Sequence, residues 1–182
     1  HLIVHTGLKL KPRPAEGVTT YSYSRNEGDF HAENITKGNG EITFDFVHPK
    51  GVIKNVSLGV PVDINIENAI ASMAACWIAG ATDEELRTGI ATYQGAKRRF
   101  DFWLRQAQMP VVIDDYAHHP DELRASILSI KELYPERRLT VIFQPHLYSR
   151  TQDFAPQFAE ALSIADEVWL TEIYPARELP IP

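Results

Sequence analysis

Residues 111–127, VVIDDYAHHPDELRASI, decide the fold that we predict for the second half of the chain. The aliphatic residues 111–113 predict a buried strand that ends at Asp114 and Asp115. A polar loop follows, and Pro120 then opens an apparent helix at the position where a missing N–H costs least. Open α/β sheets bind ligands where a strand, a polar loop and a helix N-terminus follow one another. We therefore expect a ligand site at the end of this strand.

The loop carries several side chains that are suited to ligand binding. The carboxylate of either Asp114 or Asp115 could accept hydrogen bonds from a ribose diol or bind a cation. Tyr116, His118 and His119 follow them. The two histidines with Asp115 raise the alternative of a zinc site, but their spacing matches neither the zinc-finger nor the zinc-protease pattern. We therefore predict no metal site in the loop.

The stretch begins a βαβαβ alternation. After the first strand, the apolar spacing predicts a helix over 120–134 and a strand over 139–144. A second helix is predicted from about 153 to 164, with Pro156 in its first turn, and a third strand over 167–173. Such an alternation is typical of a parallel sheet covered by helices, so we predict an α/β fold.

Each of these three strands ends in a polar loop, and the loops read DDYAHHP, QPHLYSR and TEIYPARE. In the second loop, His146, Tyr148 and Arg150 offer a donor, a hydroxyl and a fixed cation. Each one alone is equally consistent with an ordinary surface. Together, on one edge of a sheet, they favour an anionic ligand such as a carboxylate or a phosphate.

The first half of the chain has a different pattern. Residues 18–58 contain the short runs VTTYSYS, EITFDFV and VIKNVSL between turn-rich segments, which predicts a small antiparallel or mixed sheet. Residues 65–79 have one apolar stripe at helical spacing, and Gly80 ends that helix. Thr82 and Glu85 form a capping-box pattern that opens a second helix.

The two halves meet at the segment YQGAKRRFDF, in which Lys97, Arg98 and Arg99 are adjacent. A cationic segment of this kind is commonly a solvated linker. The alternative is an anion clamp, because guanidinium groups match phosphate in a bidentate geometry. The segment is also a candidate domain boundary.

Length and composition limit the possible classes of protein. The 182 residues, 44% of them hydrophobic, allow one large domain or two small ones. The net charge of −6 argues against nucleic acid as the main partner. Cys76 is the only cysteine, which excludes an internal disulfide, and we expect it to be a small core residue rather than a nucleophile.

The sequence lacks several common signals. No apolar run is long enough to span a bilayer and no signal peptide is visible, which predicts a cytoplasmic location. There is neither a nucleophile elbow nor a GxxxxGK[ST] phosphate loop. The chain begins HLIVHTGLK without an initiator Met, so we expect a fragment of a longer protein.

The motifs DDYAHHPDE, FQPHLYSRT, NIENA, YQGAKRRFDF and EIYPARELPIP, taken together, resemble the Mur ligases of bacterial peptidoglycan synthesis. The resemblance runs from about residue 18 to the C-terminus. Within the family, DDYAHHP with FQPH is similar to the alanine-adding branch. Tyr116 stands where the related ligases that recycle murein peptides usually have Phe.

The resemblance implies a domain organisation. Residues 1–100 would form the distal part of a central ATP-binding domain, and residues 101–182 a Rossmann-like C-terminal ligase domain with a mostly parallel sheet. The family's UDP-sugar domain, its phosphate loop and most of its Mg²⁺ ligands would lie outside this chain. The isolated chain is therefore expected to be inactive.

The resemblance also implies residue roles on the ATP side. Asn65 and Asn68 match asparagines of the adenine pocket, and Arg99 matches an arginine that reaches the ATP phosphates. Asp115 matches a ribose-binding aspartate, and Tyr116 adjoins it in the nucleotide site.

On the substrate side, His118 and Arg150 are the implied catalytic residues, and His146 with Arg150 would bind the substrate carboxylate and alanine. Leu147 and Ile64 depart from the family, which often has arginine and histidine there. Arg150 would then carry more of the anion binding.

The implied reaction uses ATP and Mg²⁺ to form an acyl phosphate on UDP-N-acetylmuramate, which the amine of L-alanine then attacks. By resemblance the enzyme would be a monomer or a weak homodimer, without nucleic-acid or membrane partners. Two alternatives stay open: a ligase that recycles murein peptides, and a non-catalytic α/β module that binds adenosine.

Overall fold

The computed structural model describes residues 1–106 and 108–181. The chain divides into two compact units, His1–Gly95 and Ala96–Pro182. Both contain helices and strands, so the mixed α/β class predicted from the sequence is confirmed. The segment YQGAKRRFDF contains the division between the units.

The first unit has five strands. β1 (Leu2–His5) and β2 (Thr20–Tyr23) pair in parallel. β3 (His31–Gly38), β4 (Glu41–His48) and β5 (Gly51–Ser57) form an antiparallel sheet in that order. The sequence pattern predicts strands at the positions of β2, β4 and β5 but misses β1 and β3. Along HAENITKG of β3, apolar and polar residues alternate only weakly.

Two helices follow the sheet. α1 (Ile64–Ile78) buries its predicted apolar stripe, and its Ile66, Ile70 and Met73 are almost completely buried. α2 (Asp83–Thr92) begins with the predicted capping box, in which the Thr82 hydroxyl accepts from the Glu85 amide at 3.3 Å.

The expectation that Cys76 is a core residue is wrong, because its side chain is exposed. At 100° per residue, position 76 lies at the edge of the stripe formed by the buried residues of α1, where it faces a groove between the two helices. An Ala-rich stretch is apolar on every side and does not indicate this direction.

The second unit begins with the antiparallel pair β6 (Asp101–Leu104) and β7 (Val112–Asp114). The remaining elements are, in chain order, α3 (Pro120–Leu133), β8 (Thr140–Phe143), α4 (Tyr148–Leu162) and β9 (Glu167–Leu170). β8 and β9 pair in parallel, and together with α3 and α4 they enclose a core that includes Ile127, Phe143 and Phe158.

The structure differs from the predicted sheet at its first strand. β7 pairs with β6 and does not extend the β8–β9 ladder. A cavity of about 360 Å³ is lined by Ile113 of β7, Val141 of β8 and Ile127 of α3. The strand that was predicted to be buried is therefore only partly so, and Val112 is 42% exposed.

The predicted start of α4 near residue 153 is wrong, since the helix begins at Tyr148. Pro156 lies inside it and removes a backbone donor, and the chain accommodates the ring by a kink at Phe154 (φ −116°, ψ 15°). Tyr148 and Arg150 therefore belong to the first turn of a helix and not to a loop. Within the described residues, none of the helices has both the length and the apolar character required to cross a bilayer.

The first unit buries a histidine, and this gives a testable dependence on pH. His48 is 8% exposed and lies between the rings of Phe46 and Trp77, at centroid distances of 5.9 and 5.3 Å. Burial lowers its pKa below 6.5, and nearby Asp83 opposes the shift only in part. As the pH falls, the unfolded chain protonates His48 before the folded chain does. The contribution of neutral His48 to the free energy of unfolding should therefore be complete above about pH 6.5 and be lost as the pH drops toward the lowered pKa of the folded state.

We expect His48→Phe to remove this pH-dependent part of the free energy of unfolding, because phenylalanine fills a similar volume without titrating. Urea unfolding of the wild type and the variant at pH 7.5 and 5.5 measures it. A stability difference between the two pH values that is the same in both proteins would contradict the assignment.

Candidate functional site

Asn65 and Asn68 lie in the first turns of α1, and their side chains bond to each other. The Asn65 Nδ2 donates to the Val60 carbonyl at 3.0 Å, and the Asn68 Nδ2 donates to the Asn65 Oδ1 at 3.2 Å. These bonds fix both amides and leave the exposed Asn68 with an acceptor oxygen, Oδ1, that has no partner in the described part of the chain. An amide of this kind can read the edge of a purine base.

A groove of about 790 Å³ lies beside these amides within the first unit. Its lining is mainly apolar and comes from residues 58–60 after β5, from α1, from α2 and from Tyr93 after α2. Ile64 is 61% exposed at the start of α1. An apolar groove with a few fixed polar groups is the usual form of a small-molecule site.

Charged groups on two sides hold the start of α1. Asp63 occupies the N-cap position but does not cap the helix, because its carboxylate pairs with Arg25 at 2.6 Å and with Lys37 at 2.5 Å. Burial raises the pKa of Asp63, but the two cations outweigh it, and the pKa lies below its usual value. Glu67, one turn later, pairs with His5 at 2.6 Å. Sequence reasoning missed these anchors, whose only signal is carboxylates on either side of Asn65.

In the second unit, Asp115 links the cationic segment to α3. Its Oδ1 accepts from the Phe100 amide at 3.2 Å, and its Oδ2 accepts from the Ser126 hydroxyl. Phe100 has a positive φ of 52°, so the carboxylate holds the backbone in a conformation that non-glycine residues rarely adopt. Each carboxylate oxygen keeps a further acceptor site, which leaves room for a ribose hydroxyl.

Arg98, rather than Arg99, is held against the loop after β7. Its guanidinium lies 4.7 Å from the centre of the Tyr116 ring, and its Nε is 3.8 Å from a carboxylate oxygen of Asp114. The Tyr116 amide donates to the Arg98 carbonyl at 2.8 Å. The Arg99 side chain is exposed and has no bonding partner among the residues described, so it is available to an anion.

The two histidines of the loop have different roles. The His118 Nδ1 lies 3.0 Å from the Tyr116 carbonyl and 3.3 Å from a Glu122 oxygen. Because both neighbours are acceptors, Nδ1 carries the proton in the neutral ring and Nε2 is an acceptor. The His118 amide is the main cause of the lowered pKa of Glu122.

His119 caps α3, since its Nδ1 accepts from the Asp121 amide at 3.4 Å. Its ring packs edge-on against Phe154 of α4 at 5.0 Å, so the loop after β7 contacts α4. Within residues 1–106 and 108–181, no group of three or more His, Cys, Asp or Glu side chains is arranged to hold a metal ion.

His146 and Arg150 lie after β8. The His146 ring stacks on Tyr174 at 5.5 Å, and its Nδ1 is buried without a hydrogen-bond partner. The Arg150 guanidinium makes no hydrogen bond or ion pair within the described residues, although its charge contributes to lowering the pKa of Glu178. A buried ring nitrogen and an unpaired guanidinium, four residues apart, form a suitable pair for an anionic ligand.

The predicted site residues thus fall into two sets. Asn65 and Asn68 border the groove of the first unit, whereas the loops after β7 and β8 carry the others in the second unit. The groove of the first unit is suited to a small ligand with an apolar face. In the second unit, the unpaired arginines and the unpartnered His146 nitrogen are suited to anionic groups. For Mg²⁺, the described residues offer no comparable ligand set.

The chain is similar in sequence to known ligases. Residues 98–180 match the family model "Mur ligase, glutamate ligase domain". The UDP-N-acetylmuramate–L-alanine ligase of Phocaeicola vulgatus is 56% identical over 181 residues, which cover 100% of this chain and 39% of that protein. The corresponding Porphyromonas gingivalis ligase is 48% identical over 100% of this chain and 40% of its own length. This chain therefore spans about two fifths of the relatives it matches.

Solved structures agree in fold. The UDP-N-acetylmuramate–alanine ligase of Thermotoga maritima has a TM-score of 0.69 at 30% identity, over 85% of this chain and 34% of its own. Folylpolyglutamate synthetase from Lactobacillus casei, at 18% identity and a TM-score of 0.65 over 91% of this chain and 38% of its own, shares the fold. Because the family model matches residues 98–180, the second unit belongs to the Mur ligase family, and the alignments to these ligases cover the whole chain.

Proposed function

We propose that this chain is part of a cytoplasmic, ATP-dependent ligase that joins L-alanine to UDP-N-acetylmuramate. The observation that carries the proposal is the pair formed by the unpartnered His146 nitrogen and the unpaired Arg150, both of which follow the end of β8. The proposed substrates are those in the names of the similar ligases. We expect a monomer or a weak homodimer.

On the nucleotide side, the amides of Asn65 and Asn68 would read the adenine edge at the mouth of the groove. Asp115 would accept a hydrogen bond from a ribose hydroxyl, with Tyr116 beside it. The exposed Arg99 would bind the phosphates. Mg²⁺, whose ligands we place mostly outside this chain, would neutralise phosphate charge when bound.

ATP supplies the phosphoryl group that turns the substrate carboxylate into an acyl phosphate, with ADP leaving. His146 would orient that carboxylate, and Arg150 would bind the carboxylate of L-alanine. The amine of L-alanine then attacks the acyl carbon, and phosphate leaves. His118 is suited to accept the proton that the amine loses, because the contacts of its Nδ1 leave Nε2 as the acceptor.

The test uses the complete polypeptide that carries this chain, with ATP, Mg²⁺ and UDP-N-acetylmuramate. We expect phosphate release that requires L-alanine, and a product whose mass is increased by one alanyl residue. Replacement of L-alanine by a murein tripeptide should abolish the product. Ligation of the peptide instead would indicate the recycling ligase, and ATP binding without phosphate release would indicate a non-catalytic adenosine-binding module.

A further inference from the structure

The segment after β9, YPARE at 174–178, lies against the loop that carries His146. The Tyr174 amide donates to the Pro145 carbonyl at 2.8 Å, and the Leu147 amide donates to the Tyr174 carbonyl at 3.0 Å. With the stack of His146 on Tyr174, these bonds fix the loop on both sides of the histidine. The segment is part of the terminal motif, whose last residue, Pro182, lies outside the described residues.

The loop needs such support because Leu147 has φ 72° and ψ 135°. A branched, non-glycine residue rarely adopts a positive φ, and it keeps that conformation only where its surroundings enforce it. Leu147 is also the N-cap residue of α4, and its side chain offers no acceptor to the first turn.

Glu178 supplies the missing acceptor from a distant part of the sequence. Its Oε2 accepts from the Ser149 amide at 2.9 Å, and its Oε1 accepts from the Ser149 hydroxyl at 2.5 Å. A carboxylate at this position also complements the helix dipole. The next residue of the helix is Arg150, so Glu178 binds the turn from which that side chain projects.

We infer that Glu178 is a positioning residue that holds the Leu147 turn and the start of α4, and so places Arg150, which would bind L-alanine, beside His146. This inference rests on the proposed function. It assigns a role to the YPARE motif that neither the nucleotide contacts nor the proposed chemistry requires.

The test compares Glu178→Gln with the matched control Glu172→Gln in the complete ligase. Glu172 is exposed, lies just after β9, and no hydrogen bond of its carboxylate is found within the described residues. We expect Glu178→Gln to raise KM for L-alanine by roughly tenfold, since it weakens two hydrogen bonds to a charged acceptor. KM for ATP should change by less than about twofold, and Glu172→Gln should alter neither constant.

A conservative variant and a second measurement complete the test. Glu178→Asp keeps the charge and should restore part of the affinity for L-alanine. Amide hydrogen exchange at Leu147 and Ser149 should accelerate in Glu178→Gln but not in Glu172→Gln. Unchanged exchange, or an equal rise of KM for ATP and L-alanine, would overturn the inference. Altered exchange in a protein without alanine-dependent phosphate release would count against the proposed function and not against the contact.

Discussion

Replacing Arg150 with alanine is expected to lower kcat/KM of ligation by about 10²–10³-fold while ATP affinity stays nearly unchanged. The guanidinium has no bonding partner in the described structure, so its loss disrupts little of the fold. It projects from the first turn of α4, four residues after His146, whose buried Nδ1 is also unpartnered. Because residue 147 is leucine, we expect Arg150 to carry more of the anion binding at this point.

The matched control is Arg124→Ala. Arg124 is a half-exposed cation on α3 that pairs with Glu160 at 3.2 Å, and no role in binding falls to it. Steady-state kinetics with L-alanine as the varied substrate should leave this control near the wild type. Arg150→Lys should recover only part of the activity, because an ammonium group cannot bind a carboxylate in the bidentate fork geometry. Equal kinetics for Arg150→Ala and Arg124→Ala would remove Arg150 from the site.

The helices show how far local pattern predicts this fold. The start of α3 at Pro120 and the capping box of α2 depend on residues within one turn, and both predictions are confirmed. At the start of α4, the Ser149 amide donates to Glu178, which lies 29 residues further along the chain. No local signal in the sequence indicates that contact. Pro156 instead led the sequence pattern to place the helix start near the kink.

Strand pairing was less predictable than strand position. The apolar run after Pro110 predicts a strand, but its spacing carries no information on which neighbour it pairs with. The structure pairs β7 with β6, which the sequence pattern missed, and leaves a cavity toward β8. Order within a sheet is decided by contacts between distant residues, which a single-sequence pattern does not contain.

For the candidate site, too, the sequence indicates residues but not which of their atoms are free to bind a ligand. Sequence resemblance predicts that Asn65, Asn68 and Asp115 contact the nucleotide. The structure adds which of their atoms already have partners: each polar atom of the Asn65 amide makes one bond within the fold, whereas the Asn68 Oδ1 makes none among the described residues. It also brings in Arg98, which the sequence presents only as one of three adjacent cations.

Asp115→Ala is expected to weaken ATP binding by about tenfold or more and to lower the free energy of unfolding by about 2 kcal/mol, because a charged acceptor of two hydrogen bonds is lost. The carboxylate holds the Phe100 amide beside Arg99 and the Ser126 hydroxyl of α3. The two effects can be separated. Ser126→Ala removes only the contact to α3, so it should reduce stability with little change in ATP affinity, as measured by urea unfolding and titration calorimetry on the complete ligase. If Ser126→Ala weakened ATP binding as much as Asp115→Ala, Asp115 would act only through the fold and its assignment to the ribose would be wrong.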